Sequence, residues 1–286
     1  MADEKIPGNV FWIYFTLLSI IGLTYLAIWS FHNENLKGLA IALIFSVMLI
    51  FSSVLSRGEI FRLKGGFRKN AFFFVLAFVI WGSVVAFKKI QLQAGQTFSL
   101  LSTVTPARNV LFAEISNELP KFWQFYIDQI NNPFIEECFF LIGIPFGIIW
   151  ILKLLSEEKE GLEWLAHPIT ETLIILVVAA ATFAVFHVGS FILVFVISAV
   201  LFRTIIIIIY WGDELMDILP NYTVIASAGV GMHMANNWLD FGFFKGIEVL
   251  ASSPFGIIVL VSLGLIVIAA IDFVIETPLK LLFADK

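Results

Sequence analysis

Two adjacent carboxylates, Glu136 and Glu137, stand in the stretch NPFIEECFFLIGIPFG, which is otherwise fit for a bilayer. An ionised group at mid-bilayer costs about 2.5–3.5 kcal/mol on insertion scales, so such groups face the protein interior and mark function. Few others lie in apolar stretches of this chain: His187, Arg203, His233, Asn236 and Asn237. His233 and Asn237 are spaced i and i+4, so one face of a helix carries both. Phe183 and His187 have the same relation, an aromatic wall one turn below an imidazole. Glu136 and Glu137 lie about 100° apart around a helix. They cannot both aim at one point, so one does chemistry and the other makes a structural bond. Desolvation makes a carboxylate more basic and usable as a general base near neutral pH. A histidine beside it can share a water, and a second histidine with an amide can donate to a developing oxyanion. This is an inventory for hydrolysis of a peptide or amide bond, with no serine nucleophile and no need of Cys138.

Apolar windows long enough to cross a hydrocarbon core give the elements that must position these groups. They run over 10–30, 39–55, 71–87, 133–155, 169–186, 191–210, 223–239 and 257–275. The sequence thus predicts an all-α polytopic membrane protein of about eight transmembrane helices. Between the third and fourth spans, PKFWQFYIDQI suits an amphipathic helix on the membrane surface, with Pro120 in its first turn. Residues 1–130 hold the N-terminal spans and this connection, and 131–286 the bundle that carries the chemistry, in one integrated membrane domain. Alternating direction along the spans brings Glu136, His187, His233 and Asn237, from three helices, toward one face. Gly229 and Gly231 let the seventh span approach its neighbours closely, so it is expected at the centre of the bundle.

Composition sets the outer bounds. Of 286 residues 60% are hydrophobic and 14% charged, against about half and a quarter in soluble domains, and the mean hydropathy is +0.97. The net charge of −5 gives no basic footprint, which argues against nucleic acid as a partner. The single cysteine, Cys138, excludes an internal disulfide framework and reads as a buried, inert thiol. The first apolar run follows a head that is not basic and reads as a retained span. With eight spans the termini share a side, and the Lys/Arg bias between loops, ten against six, makes that side cytoplasmic. The polar set then lies toward the opposite face.

Taken together, the pair E136-E137, the motif F183-A-V-F-H187 and the motif H233-M-A-N-N237 resemble the signature of the CAAX prenyl endopeptidase family, also called the CPBP or abortive-infection family of intramembrane proteases. The resemblance covers about residues 130–240. It implies that Glu136 activates water with His187 and that His233 and Asn237 form the oxyanion site, with Phe183 in support. It implies no cofactor, and a membrane-anchored peptide or protein substrate, prenylated in the best-known members. The family pattern continues Glu-Glu-x-x-x-Arg, and Leu141 stands at the Arg position. Glu137 must then find another partner. Arg203 on the sixth span is a candidate, although a membrane Arg can also snorkel or pair with any acid.

Two other readings stand beside this one. Glu136, His187 and His233 are a plausible zinc set with an open position, although HExxH is absent. Alternatively, the chain is a transporter or scaffold whose buried acids relay protons or bind a partner; paired helix breaks would support transport, and no convincing pair is visible. His32 and His167 read as interfacial or solvated, Asp240 as a helix-end residue, and the many phenylalanines as lipid-facing and core filler.

Overall fold

In the computed structural model the described residues are 9–55, 66–93, 115–158, 160–187, 195, 203–205, 208 and 222–283. The fold is all-α, 92% helical and without strands among those residues. The helices are α1 (Asn9–His32), α2 (Leu36–Leu55), α3 (Phe67–Gln93), α4 (Lys121–Glu158), α5 (Pro168–Leu173, Ile174–Val178 and Ala179–Val185), α6 (Tyr222–Phe241), α7 (Phe243–Ala251) and α8 (Pro254–Phe283). Five of them, α1 to α4 and α8, are long and apolar enough to cross a membrane. Their lipid-type faces are dressed with exposed Ile, Leu, Val and Phe, such as Ile28, Leu43, Val54, Ile258 and Ile268. In water so much exposed apolar surface would drive association. In hydrocarbon it costs nothing, so this is a membrane protein. The expected sixth span, 191–210, lies almost wholly outside the described residues.

The principal difference from the sequence expectation is α4. Hydropathy and Pro133 suggest a span beginning at residue 133, with a separate surface helix before it. Instead one helix runs from Lys121 to Glu158 across the 130/131 boundary. Proline inside a helix removes a donor and crowds the preceding turn. Here the turn before it, Ile127–Asn131, is a π-turn, and the Asn132 N–H bonds back to Ile127 O. The wider turn makes room for the ring, and the helix continues. The stretch expected on the surface is therefore packed: Phe125, Tyr126, Ile127 and Ile130 are buried. Tyr126 donates its hydroxyl to Leu18 O of α1 at 2.7 Å, and Trp123 stacks on Tyr25 at 3.7 Å. As a result Glu136 stands well inside a helix and not near its start.

α6 is central, as its small residues suggest. Residues 226–235 are buried without interruption. A Cβ on Gly231 would lie 2.2 Å from Phe74 O, so α3 and α6 touch backbone to side-chain position there. Gly231→Val is expected to prevent this approach, because a packed backbone cannot retreat as a flexible side chain can. Overpacking costs about 1–3 kcal/mol where relaxation is possible, and here the loss should be at the upper end. It would be read as a lower melting temperature, or loss of the monodisperse gel-filtration peak, in detergent. Trp81 of α3 donates to Asn236 Oδ1 at 3.2 Å, and Lys89 Nζ donates to the Leu239 and Asp240 carbonyls. These contacts close the C-terminal end of α6, which fixes the height of His233. After Gly242, at φ +113°, the short α7 turns away with Phe244 exposed. At the other end of α3, Arg68 bridges Asp272 and Glu276 of α8 at 3.1 and 2.7 Å.

Candidate active site

In α4 Glu136 ends the regular turn Asn132–Glu136 between two π-turn stretches, Ile127–Asn131 and Glu137–Gly143, and Glu137 opens the second of them. Such turns are rare and concentrate at functional sites, because they re-aim side chains that a regular helix would stack. The pair keeps its angular separation, and the two side chains reach the same imidazole from different edges. Glu136 Oε2 lies 3.7 Å from His233 Nε2, while Glu137 Oε1 lies 3.0 Å from His233 Nδ1. Glu136 Oε2 also lies 3.3 Å from His187 Nε2. Three ligand-type atoms of Glu136, His187 and His233 therefore fall within 4.8 Å of one another. All three residues are buried, at 1%, 5% and 5% exposure, so bulk water does not bathe them.

The partners of the outer ring nitrogens fix the tautomers. His187 Nδ1 is 2.6 Å from Phe183 O. A carbonyl only accepts, so Nδ1 carries the proton and a neutral His187 turns its Nε2 lone pair to Glu136. Phe183 O lies in the last turn of α5, which ends at Val185; it accepts the Phe186 N–H at 3.2 Å, and its second lone pair is left for the His187 ring. His233 Nδ1 faces a Glu137 carboxylate that already accepts a 2.6 Å bond from Arg203 Nη1. Its Nδ1 is likewise the donor. A neutral His233 then also turns a lone pair inward. Phe183 holds the planes: it stacks on His187 at 3.7 Å and 19°, meets His233 edge-on at 5.6 Å and 68°, and lies 5.4 Å from Arg203 Cζ.

Arg203 is the partner Glu137 needs in place of an arginine at position 141. Both side chains are fully buried. Leu141 fills the motif position close by: a Cβ on Gly229 would meet Leu141 Cδ2 at 2.6 Å and Glu137 Oε2 at 2.9 Å. The guanidinium thus comes from a different stretch of chain.

Asn237 sits one turn after His233, but its hydrogen bonds point elsewhere. Its Nδ2 donates to Asp128 O at 3.2 Å, and its Oδ1 accepts from Asn236 at 3.3 Å. The Asp128 carbonyl belongs to the π-turn of α4. The carboxamide thereby ties α6 to α4 and retains a second N–H for other use. The polar residues around this turn, Asp128, Gln129, Asn131 and Asn132, are not among the candidates named from the sequence. The signal was present, since Asp128, Asn132 and Glu136 recur at four-residue steps. Cys138 is buried, as expected of an inert thiol. No family model, curated protein or solved structure matches the chain.

Proposed function

We propose that this chain is a membrane endopeptidase, inserted as a multi-pass protein, that hydrolyses a peptide bond with a water activated by Glu136 and His187. The reading rests on the motif set of the CAAX-protease type and, above all, on the convergence of Glu136 Oε2 with the two inward-facing Nε2 atoms. A water between Glu136 and His187 would donate one hydrogen to each. Glu136 takes its proton as the oxygen attacks the carbonyl carbon. His233, when protonated, is held at Nδ1 by Glu137 and offers Nε2–H to the oxyanion. The free N–H of Asn237 is the second candidate donor. Glu136 then returns the proton to the leaving amine. Glu137 and Arg203 do not touch the reacting atoms; they orient His233. The substrate class proposed is a membrane-anchored peptide, prenylated or not, because a buried site inside a helix bundle is reached from the bilayer.

One observation favours a second reading, a zinc site at Glu136, His187 and His233. Each ring has its outer N–H held by an oxygen, which is how imidazoles are oriented toward metals. Bound zinc would supply a more acidic water, with Glu136 a ligand and not the base. The deciding assay uses the purified, reconstituted protein with prenylated and unprenylated peptides. Parent activity should survive exhaustive chelation, while Glu136→Ala and His187→Ala lose it. Loss on chelation that zinc restores would select the metal reading. Equal cleavage by all three proteins would remove both.

A further inference from the structure

The hydrolytic reading requires water at a site almost closed to solvent, and the polar residues before Glu136 bear on this. Around the π-turn of α4, three carboxamide oxygens are buried without a hydrogen-bond partner: Gln129 Oε1, Asn131 Oδ1 and Asn132 Oδ1. The residues themselves are buried, at 4%, 1% and 3% exposure. Ser19 Oγ of α1 is in the same condition, and Asn131 Nδ2 reaches Ser19 O at 3.4 Å. An unpaired buried acceptor costs about 1–3 kcal/mol. Three such acceptors around one turn, with the Ser19 hydroxyl across from Asn131, are untenable in a dry interior, whereas a bound water satisfies about three such groups at once.

The placement of these groups gives them a direction. Asn237 meets Asp128 O, and His233 meets Glu136. Moving along α6 from His233 to Asn237 therefore means moving back along α4 from Glu136 to Asp128. Asn132 stands between these two cross-helix contacts, at the four-residue step from each. Asp128, Asn236 and Asn237 are partly exposed, while Asn132 and Glu136 are buried. Gln129 Nε2 bonds Asp128 Oδ2 at 2.7 Å, which joins it to the more open end. At 1.5 Å per residue the distance from Asp128 to Glu136 is about 12 Å, the length of a file of about four waters.

We propose that Gln129 and Asn132 line a hydrated passage between α4 and α6, leading from the Asp128–Asn237 end to Glu136, which delivers the water consumed in hydrolysis. The passage rests on the hydrolytic reading for its purpose but not for its existence. Asn132 is a positioning residue for water; it does not touch the scissile bond.

The test is thiol accessibility in the full chain in native membranes. Replacing the lone cysteine (Cys138→Ser) gives a silent background. Asn132→Cys and Phe134→Cys are then compared for modification by a small cationic methanethiosulfonate. Phe134 is an equally buried neighbour packed against the Phe15 and Trp12 rings, the comparison in aromatic surroundings. Hydrated thiols ionise and react, and thiols in apolar surroundings do not, so Asn132→Cys should react at least about tenfold faster. This difference should persist with Glu136→Gln added. If Asn132→Cys is misfolded by gel filtration, Gln129→Cys takes its place. Equal, slow modification of folded variants overturns the passage. In the cleavage assay, Asn132→Leu should lower kcat at least about tenfold with KM little changed, and Asn132→Ser should retain most activity. A fall confined to KM would instead make Asn132 a substrate contact and overturn the assignment. Fast labelling in a protein whose parent chain cleaves nothing would leave the passage standing and sink the hydrolytic reading.

Discussion

Glu136→Gln is expected to lower the cleavage rate at least about a hundredfold while the chain folds as the parent does. Glutamine keeps the volume and can offer an amide N–H to the inward imidazole lone pairs, but it cannot take a proton from water. General-base groups contribute about 10²–10⁴-fold, so the upper part of this range applies if Glu136 is the sole base. The position is buried, yet the substitution replaces a charge by a neutral group of the same shape, and stability should hold or rise. His187→Ala should cost a similar factor through loss of the shared water. Because the two act as a unit, the double variant should be scarcely slower than either single one. Single-turnover rates on the reconstituted proteins, with melting temperatures in detergent, test all of this. Multiplicative losses would show that the residues act separately, and unchanged activity in Glu136→Gln would end the proposal.

Arg203→Leu should have the largest effect on stability. It removes the guanidinium 2.6 Å from Glu137 and leaves a carboxylate buried among Leu141, Gly229 and His233. Breaking a buried pair from one side costs about 3–5 kcal/mol, most of it the stranded charge. The double variant Arg203→Leu with Glu137→Gln should therefore be more stable than Arg203→Leu alone, a coupling readable in a double-mutant cycle. Activity will not return with it, because a neutral carboxamide in place of the Glu137 carboxylate holds the His233 ring but does not favour its charged form. A second rescue is specific to this chain. Leu141 and Glu137 both abut Gly229, so Leu141→Arg in the Arg203→Leu background should recover part of the lost stability. If Arg203→Leu melts with the parent, the buried pair has no structural importance and the argument for it fails.

The contrast between Leu141 and Arg203 shows where sequence reading stops. That Glu137 lacks a local arginine is visible in EECFFL. That Arg203 meets it depends on how two distant stretches pack, which no local window contains. Pro133 teaches the same lesson about α4. A proline is a fair signal for a helix start because it removes an N–H, but a π-turn before it lets the helix pass through. That turn also raised Asp128, Gln129, Asn131 and Asn132 from an apparent surface segment to the buried neighbourhood of the site. Asn237 was legible as a partner of His233 by spacing, but its bond to Asp128 O was not, since that carbonyl is freed only by the turn.

By itself the sequence determined the class of the molecule and picked out Glu136, Glu137, His187, Arg203 and His233 as polar residues in apolar stretches. Hydropathy is a sum over neighbours along the chain, so long apolar windows specify membrane helices without knowledge of packing, and the few ionisable residues within them stand out against that background. The tertiary structure decided which atoms of those residues face one another. Ring orientation, tautomer and the partner of each carboxylate depend on groups supplied by other helices. Those contacts have free energies comparable to the cost of burying the charges, so only the assembled bundle selects among them.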